Sequence, residues 1–196
     1  MKVNSNIKIV GNKIILVPYC KHHVPRYHEW MKSEELQSLT ASEPLTLDKE
    51  YEMQESWRND EDKCTFILLD KDIYNKNYDE IESMIGDTNI FISKENSKCI
   101  GEIEIMIAEK DFRGKKYGYE AVITMLLFGL NYINIDVYIA KISLDNVKSI
   151  RMFEKLRFVE KSRSEVFQEV TLEKICDKTW TEWLQNEVPF EIKPYL

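Results

Sequence analysis

The stretch "GEIEIMIAEKDFRGKKYGYEAVITMLLFGL", residues 101–130, decides the fold. Its first eight residues alternate as a strand does: Glu102, Glu104 and Met106 share one face, and Ile103, Ile105 and Ile107 take the other. From Val122 the residues are almost all apolar for about three turns, which reads as a buried helix. Between the two, "RGKKYG" sets Arg113, Lys115 and Lys116 around Gly114 and Gly118. The strand "DVYIAKIS" and the helix "NVKSIRMFEKL" follow. Such an order is a crossover unit, so part of the sheet is expected to be parallel and the class is mixed α/β.

The turn itself carries chemistry. A helix start exposes unpaired backbone N–H groups and the positive end of the helix dipole, so a glycine-bearing loop entering a helix is a natural anion site. Three cations beside it favour a phosphate. The nucleotide-binding sequence G-x-x-x-x-G-K-[ST] is absent, because Tyr119 follows Gly118, and so is G-x-G-x-x-G. A nucleotide-binding module using the same anion site is the weaker alternative.

Working outward, "KIILVPY" reads as a first strand, "HVPRYHEWMKSEELQSLT" as a helix, and "TLDKEYEMQESW" as a second helix capped by Thr46 or Asp48. "CTFILLD", "DTNIFI" and "CIGEIEIMIA" give three successive strands of an antiparallel meander. "KDIYNKNYDEIESM" is polar and reads as a mobile surface loop. A strand pair around "FVEKS" and "VFQEVTL" closes a domain of residues 1–173. Residues 174–196 form a tail, "TWTEWLQNE" as a short amphipathic helix and "VPFEIKPYL" extended, with Trp180, Trp183 and Leu184 expected to pack on the protein's own sheet.

Composition narrows the function. A formal charge of -7 argues against a nucleic-acid or anionic-membrane surface. Cys20, Cys64, Cys99 and Cys176 show no C-x-x-C pair, and His22, His23 and His28 show no metal-ligand spacing, so no metal is expected and the thiols fit a reducing, cytoplasmic setting. The start lacks the apolar core of a signal peptide.

The junction resembles the GNAT acyltransferases, whose cofactor motif R/Q-x-x-G-x-G/A stands here as Arg113, Gly114, Lys115, Lys116, Tyr117 and Gly118. A second motif, N-x-x-S-x-x-x-Y-E-K-x-G-F, is matched by Asn146, Ser149 and "FEKLRF". Longer blocks, among them "YHEWMKSEELQSLTASEPLTLDKEYEMQ", are similar to the N-acetyltransferase 9-like branch across most of residues 14–172. The resemblance implies a GNAT fold: a mixed, mostly antiparallel sheet splayed at the cofactor site, with helices on both faces. It implies acetyl-coenzyme A as co-substrate, its pyrophosphate held at Arg113 to Gly118 and its pantetheine arm along Met106, Ile107 and Ala108, with Asn146, Ser149 and Phe153 nearby. It also implies acetylation of protein amino termini, with α- and β-tubulin as substrates. A GNAT-fold protein that binds acetyl-coenzyme A or a partner without catalysis is the alternative; the oligomeric state is left open.

Two departures bear on that reading. Lys116 stands where the motif has its middle glycine, and either adds a cation or crowds the site. Phe153 replaces a tyrosine proposed to protonate the leaving thiolate; a thiol with a pKa of about 8.5 leaves tolerably without it. Glu102 and Glu104 read either as an ordinary wet sheet face or as the groups that receive the acceptor amine and its proton. Asn146 serves as a helix cap in either case. An α-amino group with pKa near 7.8 is roughly 14% neutral at pH 7 against about 0.04% for lysine, so a site without an evident strong base suits an amino terminus.

Overall fold

Residues 2–195 are described by a computed structural model, and their strands form one nine-stranded sheet. In chain order these are β1 (Ile7–Val10), β2 (Ile14–Pro18), β3 (Lys63–Asp70), β4 (Met84–Glu95), β5 (Lys98–Ile107), β6 (Val137–Ser143), β7 (Val159–Ser164), β8 (Glu169–Ile175) and β9 (Glu191–Pro194). Their spatial order is β7-β8-β6-β5-β4-β3-β2-β1-β9, and every pair but β5 with β6 is antiparallel. The parallel pair is the one that the crossover through residues 101–143 predicts.

Alternation along the central strands feeds two cores. Ile14 and Leu16 of β2 and Cys64, Phe66 and Leu68 of β3 face a core shared with α6 (Tyr117–Phe128), α7 (Val147–Lys155) and α8 (Lys178–Glu187). Ile15, Val17, Ile67 and Leu69 face the other, closed by α1 (Val24–Trp30), α2 (Glu34–Thr40) and α3 (Leu47–Asn59). The period of two thus sends consecutive residues to opposite faces, and helices cover both. The helix α6 is buried almost all round, as its apolar sequence requires, and a wide π-type turn at Gly129–Ile133 ends it.

Two expectations are corrected and a third is sharpened. The first helix is two: Ser33 caps α2 by accepting from Leu36 N, and the chain breaks at Met31–Ser33. The polar stretch after β3 is not a loop but α4 (Lys71–Asn77) and α5 (Glu80–Ser83), started by the carboxylates of Asp70 and Asp79. The extended tail is a strand, with Ile7–Val10 paired against Glu191–Pro194; β1 itself has too few residues to show a period. Trp180, 1% exposed, donates from Nε1 to the Leu156 carbonyl, and Leu184 is fully buried beside it. Thr46 caps α3 by accepting from Lys49 N. No helix among the described residues is long and apolar enough to cross a membrane.

Candidate active site

The sheet opens where the sequence changes from strand to turn. The β5–β6 ladder holds only Ile100, Gly101 and Glu102 against Val137, Tyr138 and Ile139. Beyond Glu102, β5 stays paired with β4 as far as Ile107, while β6 stays paired with β8 as far as Ser143. The two strands therefore diverge, and the backbone of Ile103–Ile107 borders a cleft on its β6 side. A sheet edge of this kind can pair with an extended ligand arm.

The start of α6 stands at the end of that cleft. Gly114 and Lys116 both adopt left-handed backbone, φ 72° and 71°, and Lys116 is the residue that caps the helix. This turns the chain sharply enough to aim the first amides of α6 outward; Glu120 N makes the first bond back, to the Lys116 carbonyl at 3.1 Å. Gly114, Lys115 and Lys116 are exposed. The turn is braced from below: Lys13 donates from N to Glu120 Oε1 and from Nζ to the Lys115 carbonyl, both at 3.0 Å, and Tyr117 donates to Asp70 Oδ2 at 2.7 Å. An added Cβ at Gly118 would lie 3.6 Å from Ile107, 3.8 Å from Ile105 and 4.0 Å from Met152, so β5, α6 and α7 meet there.

Arg113 is placed differently from its neighbours. Its guanidinium donates to the Ile107 carbonyl (2.8 Å) and the Ala108 carbonyl (3.2 Å), and pairs with Glu35 of α2 (2.6 Å). It thus fixes the end of β5, and cations for a phosphate come first from Lys115 and Lys116. Asn146 accepts from Ser149 N at 3.2 Å as the cap of α7. Phe153 is 2% exposed and packs edge-on against Phe158, centroids 5.0 Å apart.

The opposite face of the same strands carries polar groups beside the second core. Register places Lys63, Thr65 and Ile67 of β3 beside Phe91, Asn89 and Asp87 of β4, and these beside Glu102, Glu104 and Met106 of β5. Glu102 is tied to Lys141 at 2.8 Å. Glu104 is exposed; loss of solvent on its inner side raises its carboxyl pKa more than the Lys63 cation lowers it, a push discounted by the water it still reaches. Asp87, 2% exposed, is pushed up to about 7 by burial, against a hydrogen bond from Asn89 Nδ2 at 2.8 Å. Lys63, also 2% exposed, lies 3.2 Å from the Trp57 ring centroid and 3.8 Å from that of Phe91; burial lowers it to about 8. Tyr19 Oη, Glu50 Oε2 and His28 Nδ1 above this floor are buried without a hydrogen-bond partner among the described residues. Past the end of β5 lies an open pocket of about 370 Å³, lined among others by Trp30, Leu36, Ala108, Glu109 and Arg113.

Sequence reasoning missed Asp87, Lys63 and Tyr19. The available signal was "DTN" within an otherwise apolar strand, where alternation puts Asp87 and Asn89 on one face. His22, His23 and Glu80 also converge, with both Nε2 atoms within 3.0 Å of Glu80 Oε2. His23 Nδ1 accepts from Cys20 N at 3.0 Å, so its proton sits on Nε2 and points at the carboxylate. With Tyr195 donating to the same oxygen, the cluster is a hydrogen-bond clasp in this tautomer and offers no free lone pair of His23 to a metal.

A splayed sheet with a helix start at its cleft is the architecture of coenzyme A-dependent acyltransferases, and comparison with known proteins agrees. The family described as acetyltransferase (GNAT) domain matches residues 13–159. The chain belongs to this family of acetyltransferases. It is 49% identical over its full length to the human alpha/beta-tubulin-N-acetyltransferase 9, covering 96% of that protein, and 47% identical to the Drosophila melanogaster protein of the same name, each covering 100% of the other. It is 54% identical to an N-acetyltransferase 9-like protein of Nematostella vectensis, over 88% of this chain and 87% of that one. The fold superposes on Vibrio cholerae spermidine N-acetyltransferase in complex with CoA and spermine, with a TM-score of 0.70 at 17% identity over 83% of this chain and 95% of that one.

Proposed function

We propose that the protein transfers an acetyl group from acetyl-coenzyme A to the amino terminus of a protein, by direct attack of the amine while both substrates are bound. The observation that carries this is the divergence of β5 from β6 at the start of α6, with a row of carboxylates on the other face of β5. The relatives named for α- and β-tubulin support tubulin amino termini as substrates and the cytoplasm as the place of action.

In this reading the first amides of α6, with Lys115 and Lys116, hold the pyrophosphate, and Arg113 keeps the strand end in place. Met106, Ile107 and Ala108 line the path of the pantetheine arm; the carbonyls of Ile107 and Ala108 already accept from Arg113 and the Ala108 amide donates to the Ile85 carbonyl, which leaves the Ile107 amide for pairing on the cleft side. Acetyl-coenzyme A supplies an activated acyl carbon and a thiol leaving group. A backbone N–H near Ile107 steadies the charge that develops on the acyl oxygen. Of the two β5 glutamates, Glu104 is the one not engaged by a lysine at hydrogen-bond distance, so it rather than Glu102 is free to attract the acceptor ammonium. Phe153 donates no proton, and departure relies on the acidity of the thiol.

Calorimetric titration with acetyl-coenzyme A, then turnover on amino-terminal peptides, tests the reading. Micromolar binding with turnover supports it. Binding without turnover on any peptide favours a cofactor-binding protein instead, a reading that Phe153, without a hydroxyl, also admits.

A further inference from the structure

We propose that Asp87, rather than either glutamate of β5, takes the proton from the acceptor ammonium; this rests on the acetyl-transfer reading above. In the ladder Asp87 stands directly opposite Met106, whereas Glu104 faces Asn89 and Glu102 faces Phe91, two and four rungs further from the Met106–Ala108 segment. Asp87 is therefore the carboxylate level with the segment that presents the thioester.

Its surroundings are those of a group waiting for donors. Among the described residues, the Asp87 carboxylate accepts from one group, Asn89 Nδ2, whose own Oδ1 accepts from Thr65 Oγ1. A carboxylate has about four acceptor positions, and leaving most of them empty in a buried place is costly. An ammonium offers three donors. The hydroxyl of Tyr19, 1% exposed and without a hydrogen-bond partner among the described residues, is an unsatisfied group in the same region, close enough to feel the charges of Asp87 and Glu50. The titratable groups around Asp87 come from each neighbouring element: Glu104 of β5 and Lys63 of β3 act on it directly, and Tyr27 of α1 and Tyr19 feel its charge together with that of Glu50 of α3. One cation against two carboxylates favours a bound ammonium.

The step balances. One N–H bond of the ammonium breaks and an O–H bond forms on Asp87. The freed nitrogen lone pair bonds to the acyl carbon as the C–S bond breaks. The second proton that nitrogen sheds leaves with the coenzyme thiolate as neutral thiol, and Asp87 returns its proton to solvent past exposed Glu104.

The test is the pH dependence of kcat/KM, which reports the free enzyme, on an amino-terminal peptide for wild type, Asp87→Asn, Glu104→Gln and Lys63→Met. Wild type is expected to lose activity below a midpoint near 7, where Asp87 takes up its proton. Asp87→Asn is expected to lower kcat/KM by roughly 10²- to 10³-fold and abolish that limb, while Glu104→Gln keeps it. Lys63→Met removes a cation that holds Asp87 down, so the limb moves to higher pH. A limb that persists in Asp87→Asn, or disappears in Glu104→Gln, overturns the assignment. A wild type that binds acetyl-coenzyme A and acetylates no amine overturns the transfer reading as well, a result distinct from either.

Discussion

Lys116→Gly separates two roles of one residue. Lys116 holds φ 71°, ψ 8°, a left-handed conformation that costs a side-chain-bearing residue about 1–2 kcal/mol. Glycine removes that strain but loses about 0.5–1 kcal/mol more to chain entropy on folding. The net gain is about 0.5–1 kcal/mol, and for a chain of this size each kcal/mol moves Tm by about 2–4 °C. Melting without ligand is therefore expected to rise by about 1–4 °C. Cofactor affinity is expected to move the other way. Lys116 is exposed, so its attraction for a phosphate is worth no more than about 1 kcal/mol, or about fivefold in Kd. Calorimetry with acetyl-coenzyme A at low and high salt measures this, and the deficit should shrink as salt screens the charge. Tighter binding by Lys116→Gly would mean that the side chain crowds the pyrophosphate, and a lowered Tm would mean that it is not strained.

Three further outcomes follow from the packing and charge. Asp87→Asn is expected to stabilise the protein at pH 8 by on the order of 2–4 kcal/mol, because burial raises the native pKa from 3.8 to about 7; the native carboxyl gives stability below pH 3.8 that is lost as pH rises through 7, so urea curves of variant and wild type should converge near pH 4. Glu80 behaves in the opposite sense: burial pushes its carboxyl up, but the bonds from His23, His22 and Tyr195 outweigh this and hold it at about 2, so its stabilisation is present above pH 4.5 and lost as pH falls toward 2, and Glu80→Gln should flatten that part of the stability curve by on the order of 1–2 kcal/mol after allowing for its partial exposure. Trp180→Ala should cost about 3–5 kcal/mol in chemical denaturation, since it empties a buried site and strips the Leu156 carbonyl of its donor; a loss under 1 kcal/mol would mean that α8 is not part of the core.

The parts legible in the sequence were those governed by local rules. Alternation in residues 101–108 and the apolar run after Val122 gave β5 and α6, their order gave the parallel pair, and Asn146 and Thr46 cap their helices as residues of their type do. The helices α4 and α5 were missed although Asp70 and Asp79 are ordinary caps, because a polar, asparagine-rich run offers no apolar period to read. The pairing of β1 with β9 and of Arg113 with Glu35 joins residues far apart in the chain, and no local pattern announces it.

Asp87 was hidden for a deeper reason: its meaning depends on which face of which strand it shares with Lys63 and Glu104. The central strands divide their labour by parity. Cys64, Phe66, Leu68, Ile90 and Ile103 enter the apolar core under α6, while Lys63, Thr65, Asp87, Asn89 and Glu104 turn to the other face. A row of polar groups across three strands weakens a fold, and here the fully buried α6 face supplies the compensating apolar contacts. On that other face Ile67, Leu69 and Met106 belong to the second core, and Asp87, Asn89 and Glu104 stand beside them on the two strands that lead to the cleft. Shifting β4 by one residue in register would exchange these roles, placing Thr88 where Asp87 stands and Asp87 in the apolar core, so the register of one strand fixes both the stability of the sheet and the position of its candidate base.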